Sequence, residues 1–107
     1  MSDQKPVYAF VQMDVTDPER FLPEYAMPLI GQFMERGIQP LAATPEPDVI
    51  EGSYDRSNTV IIKFPDRATF DDWYNSDDYA PLKAKRAELS DQASTVMLVL
   101  PEFEIPA

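Results

Sequence analysis

The sequence predicts an α+β fold of ferredoxin-like type, with the element order β-α-β-β-α-β. Strand-length segments with alternating apolar residues occur near both ends and in the middle of the chain, and segments with apolar residues at helical spacing lie between them. With right-handed crossovers, this order folds into a four-stranded antiparallel sheet with both helices on one face. A length of 107 residues suits one domain. We therefore expect residues 1–107 to form a single domain, with 101–107 as a C-terminal tail.

The first strand and first helix are predicted from the N-terminal third of the chain. Apolar side chains alternate over residues 7–14, as in a strand. Asp17 and Pro18 then open a helix, because a carboxylate caps free N–H groups and proline suits the first helical position. Pro28 lies inside the helical pattern, where it must kink or restart the helix. Gly37 is the predicted C-cap.

The next two strands differ in clarity. The second is predicted in two halves, 41–43 and 49–51, with an excursion at Pro45 and Pro47 between them. The third, 60–64, is the clearest strand of the chain. A short polar connection joins the two, as in a hairpin.

The second helix is predicted to be interrupted. Asp66 caps its start, and the turn-forming residues 75–78 break it. Helical spacing resumes through Leu82, Arg86, Leu89 and Ala93. The last strand is predicted over 95–100, and Pro101 ends it.

Both faces of the predicted sheet are apolar. In the third strand Val60, Ile62 and Phe64 face one side and Ile61 faces the other, and the first and last strands show the same mixture. Leaving the second face in water would expose several large side chains, each worth roughly 1.5–3 kcal/mol when buried. A patch of that kind normally marks an interface. We expect a homodimer with sheet faces packed together, because the alternative cover, the tail 101–107, is too short for four strands.

Composition excludes several classes of function. Asp and Glu number 19 against 9 Lys and Arg, so the net charge of −10 disfavours binding to nucleic acid or anionic membranes. The chain has no Cys and no His, which excludes disulfides, thiolate nucleophiles, imidazole bases and zinc or haem sites built on these residues. Residues 1–6 lack the apolar core of a signal peptide, and no apolar run has membrane-spanning length. We expect a cytoplasmic protein without a bound metal or cofactor.

Several short motifs resemble one known family. The chain is similar to the domain of unknown function 1330 family, of the dimeric α/β-barrel superfamily, in the segments Glu51-Gly52, Val60-x-Ile62-x-Phe64-Pro65 and Trp73-Tyr74-x-Ser76-x-x-Tyr79, followed by Arg86. The resemblance implies a homodimer with a pocket in each subunit, between the helices and the sheet. The superfamily includes cofactor-independent monooxygenases, haem-degrading enzymes and isomerases, whereas no reaction is established for the family itself. Gln39 and Ala43 stand where the family pattern has a basic residue.

Glu51 is the candidate catalytic residue. It is predicted to end an apolar strand at the edge of the pocket, where a carboxylate could act as a general base or orient a polar ligand. The alternative is an ion pair with Arg86 or another cation. Arg86 shares a helical face with Leu82 and Leu89, so its stem could lie on the core while its guanidinium binds a carboxylate of the ligand or of the protein.

The aromatic residues have two interpretations. Tyr25, Trp73 and Tyr79 are candidate ligand-binding residues together with Arg86, and a filled core is the alternative. Sequence also leaves open whether a wider aromatic set lines a pocket or fills a core: Tyr8, Phe10, Tyr25, Phe33 and Trp73.

Two further groups of residues are interpreted as structural. Ser76 suits a cap better than a nucleophile, since no His is present to activate it. The pairs Asp71-Asp72 and Asp77-Asp78 suit a solvated acidic face better than a metal site, because the ligand spacing and glycine turn of a cation loop are missing.

The sequence thus favours a homodimeric barrel protein that binds a small organic molecule. As an enzyme it would need no cofactor, with proton transfer at Glu51 or monooxygenase-like oxygenation of a reactive substrate. The alternative is a non-catalytic module for ligand binding or protein interaction.

Overall fold

The computed structural model describes residues 5–106 and contains one antiparallel sheet with helices packed on one face. The strand order is β2-β3-β1-β4, with β1 at Val7–Met13, β2 at Gln39–Thr44, β3 at Asn58–Phe64 and β4 at Val96–Pro101. This arrangement confirms the predicted ferredoxin-like fold. The expectations for residues 1–4 and for the last residue of the tail, Ala107, lie outside the described residues.

The helical segments follow the predicted order. They are α1 at Pro18–Phe21, a π-helical turn at Leu22–Ala26, α2 at Met27–Arg36, α3 at Arg67–Tyr74, α4 at Ala80–Leu89 and a 3₁₀ turn at Gln92–Ser94. Within residues 5–106, these helices are all too short or too polar to cross a membrane.

The first helical region restarts before Pro28, as the sequence predicts. The N–H of Met27 donates to the carbonyl of Leu22, five residues earlier, which closes a wider π-type turn. Pro28 then sits at the start of α2, where its missing N–H is tolerated. Gly37 ends α2 with a φ of 69°, a left-handed conformation that glycine adopts without strain.

The two later helices are separated where the sequence indicates, but α4 ends at Leu89 and does not continue to Ala93, which lies in the 3₁₀ turn. The Asp66 carboxylate accepts a hydrogen bond from the backbone N–H of Thr69 at 2.7 Å and caps α3. Ser76 in the break after α3 accepts from the N–H of Tyr79 at 3.1 Å, so its hydroxyl has a capping role. The turn residues thereby separate α3 from α4.

The second half of the predicted second strand is wrong. Residues 45–57 form a loop, and β2 is a single strand, Gln39–Thr44, with a bulge between Pro40 and Ala42. Pro45 and Pro47 lack the N–H groups that a ladder needs, so pairing does not continue past Thr44.

The inner face of the sheet carries the core. Ala9 lies opposite Ile62 on β3 and Val99 on β4, in a row that faces the helices. Ala9 is 1% exposed and Ile62 is 5% exposed. Phe64, at the end of the same face, is fully buried. The helices therefore shield this face from solvent.

The outer face of the sheet is open. Phe10 lies opposite Ile61 on β3 and Leu98 on β4, and Leu98 is 49% exposed. In the tail, Phe103 and Ile105 are more than four-fifths exposed. The tail therefore does not cover its own sheet, and the alternative explanation for the apolar outer face is wrong.

Candidate functional site

A cavity of about 440 Å³ lies between the helices and the inner face of the sheet. Its volume is within the range of small-molecule pockets, roughly 300–1,000 Å³. Most of the lining is apolar and comes from α1, the π-helical turn, α2 and all four strands, including Val11, Phe21, Leu29, Val60 and Met97. The position matches the pocket that the family resemblance implies.

Trp73 is the centre of the aromatic wall of this cavity. Its ring lies 5.3 Å from Phe33, 5.7 Å from Phe64 and 4.1 Å from Tyr79, measured between ring centroids. Its indole N–H donates to Gln32 Oε1 at 3.1 Å, which fixes the orientation of the ring. The wall is therefore a packed and oriented aromatic surface.

The π-helical turn places Tyr25 in the cavity. Tyr25 is 5% exposed, and its hydroxyl shares a hydrogen bond of 2.8 Å with the hydroxyl of Tyr79. Burial raises the pKa of Tyr25 well above its ordinary value and also raises the pKa of Tyr79. Both hydroxyls are therefore protonated at neutral pH and act as hydrogen-bond partners rather than bases.

Arg86 brings a positive charge into the apolar cavity. It is 4% exposed and lines the cavity from α4, the helix that also buries Leu89. Its Nε and Nη1 atoms are buried and have no hydrogen-bond partner in the described part of the chain. A buried charge is normally paired, so this side chain is the most unusual polar feature of the site.

The neighbouring charges on the helices are paired outside the cavity. Arg20 contacts Glu24 at 2.8 Å and Glu88 at 2.9 Å, and Lys85 contacts Glu24 at 3.1 Å. These pairs connect α1 and the π-helical turn to α4 on the exposed surface. Their hydrogen bonds lower the pKa of Glu24 to about 2.

The structure brings together four of the five predicted site residues. Tyr25, Trp73 and Arg86 line the cavity, and Tyr79 is buried behind them with its hydroxyl on Tyr25. The alternative ion pair of Glu51 with Arg86 is not found in the described part of the chain, where Glu51 is exposed in a loop and the Nε and Nη1 atoms of Arg86 have no partner.

Glu51 does not lie where the sequence places it. It is exposed in the loop 45–57, beyond the end of β2, and is not among the residues that line the cavity. The predicted position at the end of a strand fails because β2 stops at Thr44. A catalytic role for Glu51 stays a prediction.

The wider aromatic set divides between the two faces of the sheet. Phe33 and Trp73 contact the cavity, as does Tyr25. Tyr8 and Phe10 instead line a shallow groove on the outer face. Their places in β1 alternate with those of the buried residues, so the period of the strand already separates them.

Sequence reasoning missed the polar residues at the border of the cavity. Thr44, Ser57 and Asn58 line it where β2 ends and β3 begins. They lie at or next to the ends of the loop 45–57 and form no sequence motif. Nothing in their spacing distinguishes them from ordinary loop residues.

The acidic pairs are partly engaged by arginines. Asp71 accepts from Arg67 at 3.0 Å, and Asp78 contacts Arg36 at 2.9 Å. Across the described residues, no group of three or more acidic, His or Cys side chains is arranged to hold a metal ion.

Fold and cavity together define a ferredoxin-like α+β domain with an apolar pocket beneath its helices. The chain belongs to the family described as "Domain of unknown function (DUF1330)", whose model matches residues 6–100. Among proteins of curated function, no sequence match was found.

Two solved structures share the fold. The first is the RPA0582 protein of unknown function from Rhodopseudomonas palustris, with a TM-score of 0.74 at 12% identity, covering 95% of this chain and 85% of that one. The second is described as an antibiotic biosynthesis monooxygenase, with a TM-score of 0.54 at 21% identity, covering 94% of this chain and 99% of that one. At these identities the likeness concerns the fold.

Proposed function

We propose that this chain is a homodimeric barrel protein that binds a small, largely apolar organic molecule in the cavity beneath its helices. The cavity itself is the observation that supports the proposal. Its volume of about 440 Å³ and its largely apolar lining suit a small organic molecule.

Binding is favoured over acid–base catalysis by the groups that reach the cavity. Tyr25 and Tyr79 are protonated at neutral pH, and an arginine cannot accept a proton. The chain has no His or Cys to act as a base or nucleophile. The groups at the cavity therefore suit holding a molecule.

Cofactor-independent catalysis, by proton transfer or in the manner of a monooxygenase, is the competing proposal. Proton transfer assigns the base to Glu51 and requires the loop 45–57 to bring this residue to the cavity, whereas monooxygenase-like oxygenation depends on a reactive substrate. Pro45 and Ser57, at the two ends of that loop, line the cavity. Turnover of the bound molecule that is slowed by Glu51→Gln would support this proposal, and recovery of the molecule unchanged would contradict it.

The homodimer is proposed from the outer face of the sheet. Its apolar groove is lined by Tyr8, Phe10, Ile61, Leu98, Leu100 and Phe103. A second copy that presents the same face would remove these side chains from water, which favours a symmetric pair. Equilibrium sedimentation tests this part of the proposal, and a monomer at low micromolar concentration would overturn it.

The binding proposal is tested by filling the cavity. Ala43 lines the cavity, whereas the adjacent Ala42 lies opposite Ile61 in the outer-face row. Metabolites captured by the wild-type protein are identified by mass spectrometry and then titrated against its thermal unfolding, which a ligand of the native state must raise. We expect Ala43→Leu to lose the thermal shift and Ala42→Leu to retain it. Equal shifts in the two variants would overturn the cavity as the binding site.

A further inference from the structure

We infer that the ligand of the cavity is a monocarboxylate with an apolar body, whose carboxylate pairs with Arg86. This inference rests on the proposed binding function and adds the chemical class of the ligand. The inference is supported by the buried side chain of Arg86 in the cavity wall, whose Nε and Nη1 atoms have no hydrogen-bond partner among the described residues.

Arg86 keeps its positive charge although it is buried. A buried lysine or histidine can lose its proton and become neutral, but the guanidinium group stays charged at every physiological pH. Arg86 is 4% exposed, so water does not solvate it as it does a surface arginine. Its Nε and Nη1 groups remain as donors without acceptors. An anion is the partner that this group requires.

The neighbouring carboxylates of the protein do not supply that anion. The protein has ten more acidic than basic residues, yet no carboxylate within residues 5–106 bonds to Nε or Nη1 of Arg86. The carboxylates of the adjacent helices, Glu24 and Glu88, are held outside the cavity by Arg20 and Lys85. The negative charge must therefore come with the molecule that enters the cavity.

The cavity suits a ligand with a single negative charge. Arg86 is the buried charged residue of the described chain, and the other polar residues at the cavity, such as Thr44, Ser57 and Asn58, are neutral. One cation matches the single charge of a carboxylate better than the double charge of a phosphate ester. The remaining wall is aliphatic and aromatic, so the rest of the ligand is apolar.

Tyr25 supplies a second donor for the same group. Tyr25 lines the cavity, and its hydroxyl shares one hydrogen bond with the hydroxyl of Tyr79. When Tyr79 donates in that bond, the proton of Tyr25 is free to donate to the ligand. The pair then adds a neutral hydrogen bond to the charged one from Arg86.

The experiment compares carboxylates with their neutral amides. Phenylacetate, phenylacetamide, octanoate and octanamide are titrated by calorimetry into the wild-type protein, Arg86→Met and Arg67→Met. Arg67 is exposed on α3 and serves as the matched control, because its replacement removes the same charge outside the cavity. We expect each carboxylate to bind wild type and Arg67→Met roughly 10- to 100-fold more tightly than its amide, and Arg86→Met to bind both alike.

The outcomes separate the two proposals. Amides that bind wild type as tightly as carboxylates would overturn the inference and leave the binding function standing. Failure of all four probes to bind at millimolar concentration would overturn both.

The stability of the ligand-free Arg86→Met protein distinguishes an arginine that binds the ligand from one that only stabilises the fold. If Arg86 serves the ligand, this variant should unfold at the same or a higher urea concentration than wild type. A large loss of stability together with an unchanged preference for carboxylates would overturn the inference. If Arg86→Met does not fold, Arg86→Gln provides the same comparison with a neutral polar side chain.

Discussion

The two faces of the sheet both carry apolar residues, but these residues differ in their exposure to solvent. On the inner face, Ala9 and Ile62 lie in a buried row beneath the helices. On the outer face, Phe10 and Leu98 lie in an equivalent row, and Leu98 is about half exposed. The strands are therefore apolar on both sides, but the described chain covers only one of them. The helices of the same chain supply one cover, and the proposed second copy supplies the other.

The largest expected effect comes from truncating a phenylalanine on each face. Phe64 is fully buried on the inner face, so Phe64→Ala should lower the free energy of unfolding by about 3–5 kcal/mol. Phe10 is partly exposed on the outer face, and Phe10→Ala should cost less. Urea denaturation at several protein concentrations measures both effects.

Concentration dependence separates the two variants further. The loss from Phe64→Ala should be the same at every protein concentration, because that side chain packs within one subunit. The loss from Phe10→Ala should grow with protein concentration, since it weakens association. Equal and concentration-independent losses would contradict the assignment of the outer face to a second copy.

An intermediate effect is expected from placing a charge on the outer face. Leu98→Glu should convert the dimer to a monomer, because the interface would have to bury an unpaired carboxylate. Met34→Glu adds the same charge at a 78% exposed position on α2 and should leave the dimer intact. Equilibrium sedimentation measures both variants. A Leu98→Glu protein that remains dimeric would place the interface elsewhere.

The smallest effect concerns the exposed ion pairs that connect the helical cover of the inner face. Hydrogen bonds from Arg20 and Lys85 lower the pKa of Glu24 from 4.5 to about 2. Because the folded pKa is the lower one, the stabilising contribution is complete above about pH 4.5 and is lost as the pH falls toward 2.

Solvent screening keeps this contribution small, since the side chains are exposed. Urea midpoints at about pH 5 and about pH 2 should differ slightly more for wild type than for Glu24→Gln. NMR titration of the Glu24 carboxyl provides a direct check. An ordinary pKa for Glu24 would show that the pairs do not form in solution.

Much of the fold follows from the sequence because strand alternation and helix capping are local signals. The inner row of β3, the cap at Asp66 and the left-handed Gly37 were all predictable in this way. The prediction failed at 49–51, where a short apolar run suggested a strand. Val49 and Ile50 are instead exposed in a loop, because two nearby prolines prevent further pairing with β3.

The candidate site was less predictable than the fold. Helical spacing placed Arg86 beside Leu89, but only the packing of α4 shows that its guanidinium is buried without a partner. The cavity likewise depends on volume that side chains leave unfilled, which residue types alone do not report. Glu51 was misplaced because its assignment depended on the strand that does not exist.

The π-helical turn makes the pocket sensitive to chain length. A residue advances an α-helix by about 100°, so the wider turn at Leu22–Ala26 changes the direction of Tyr25 relative to a continuous α-helix. A one-residue insertion in this segment would therefore turn a different side chain toward the cavity, so the length of this segment determines which residue stands in its wall.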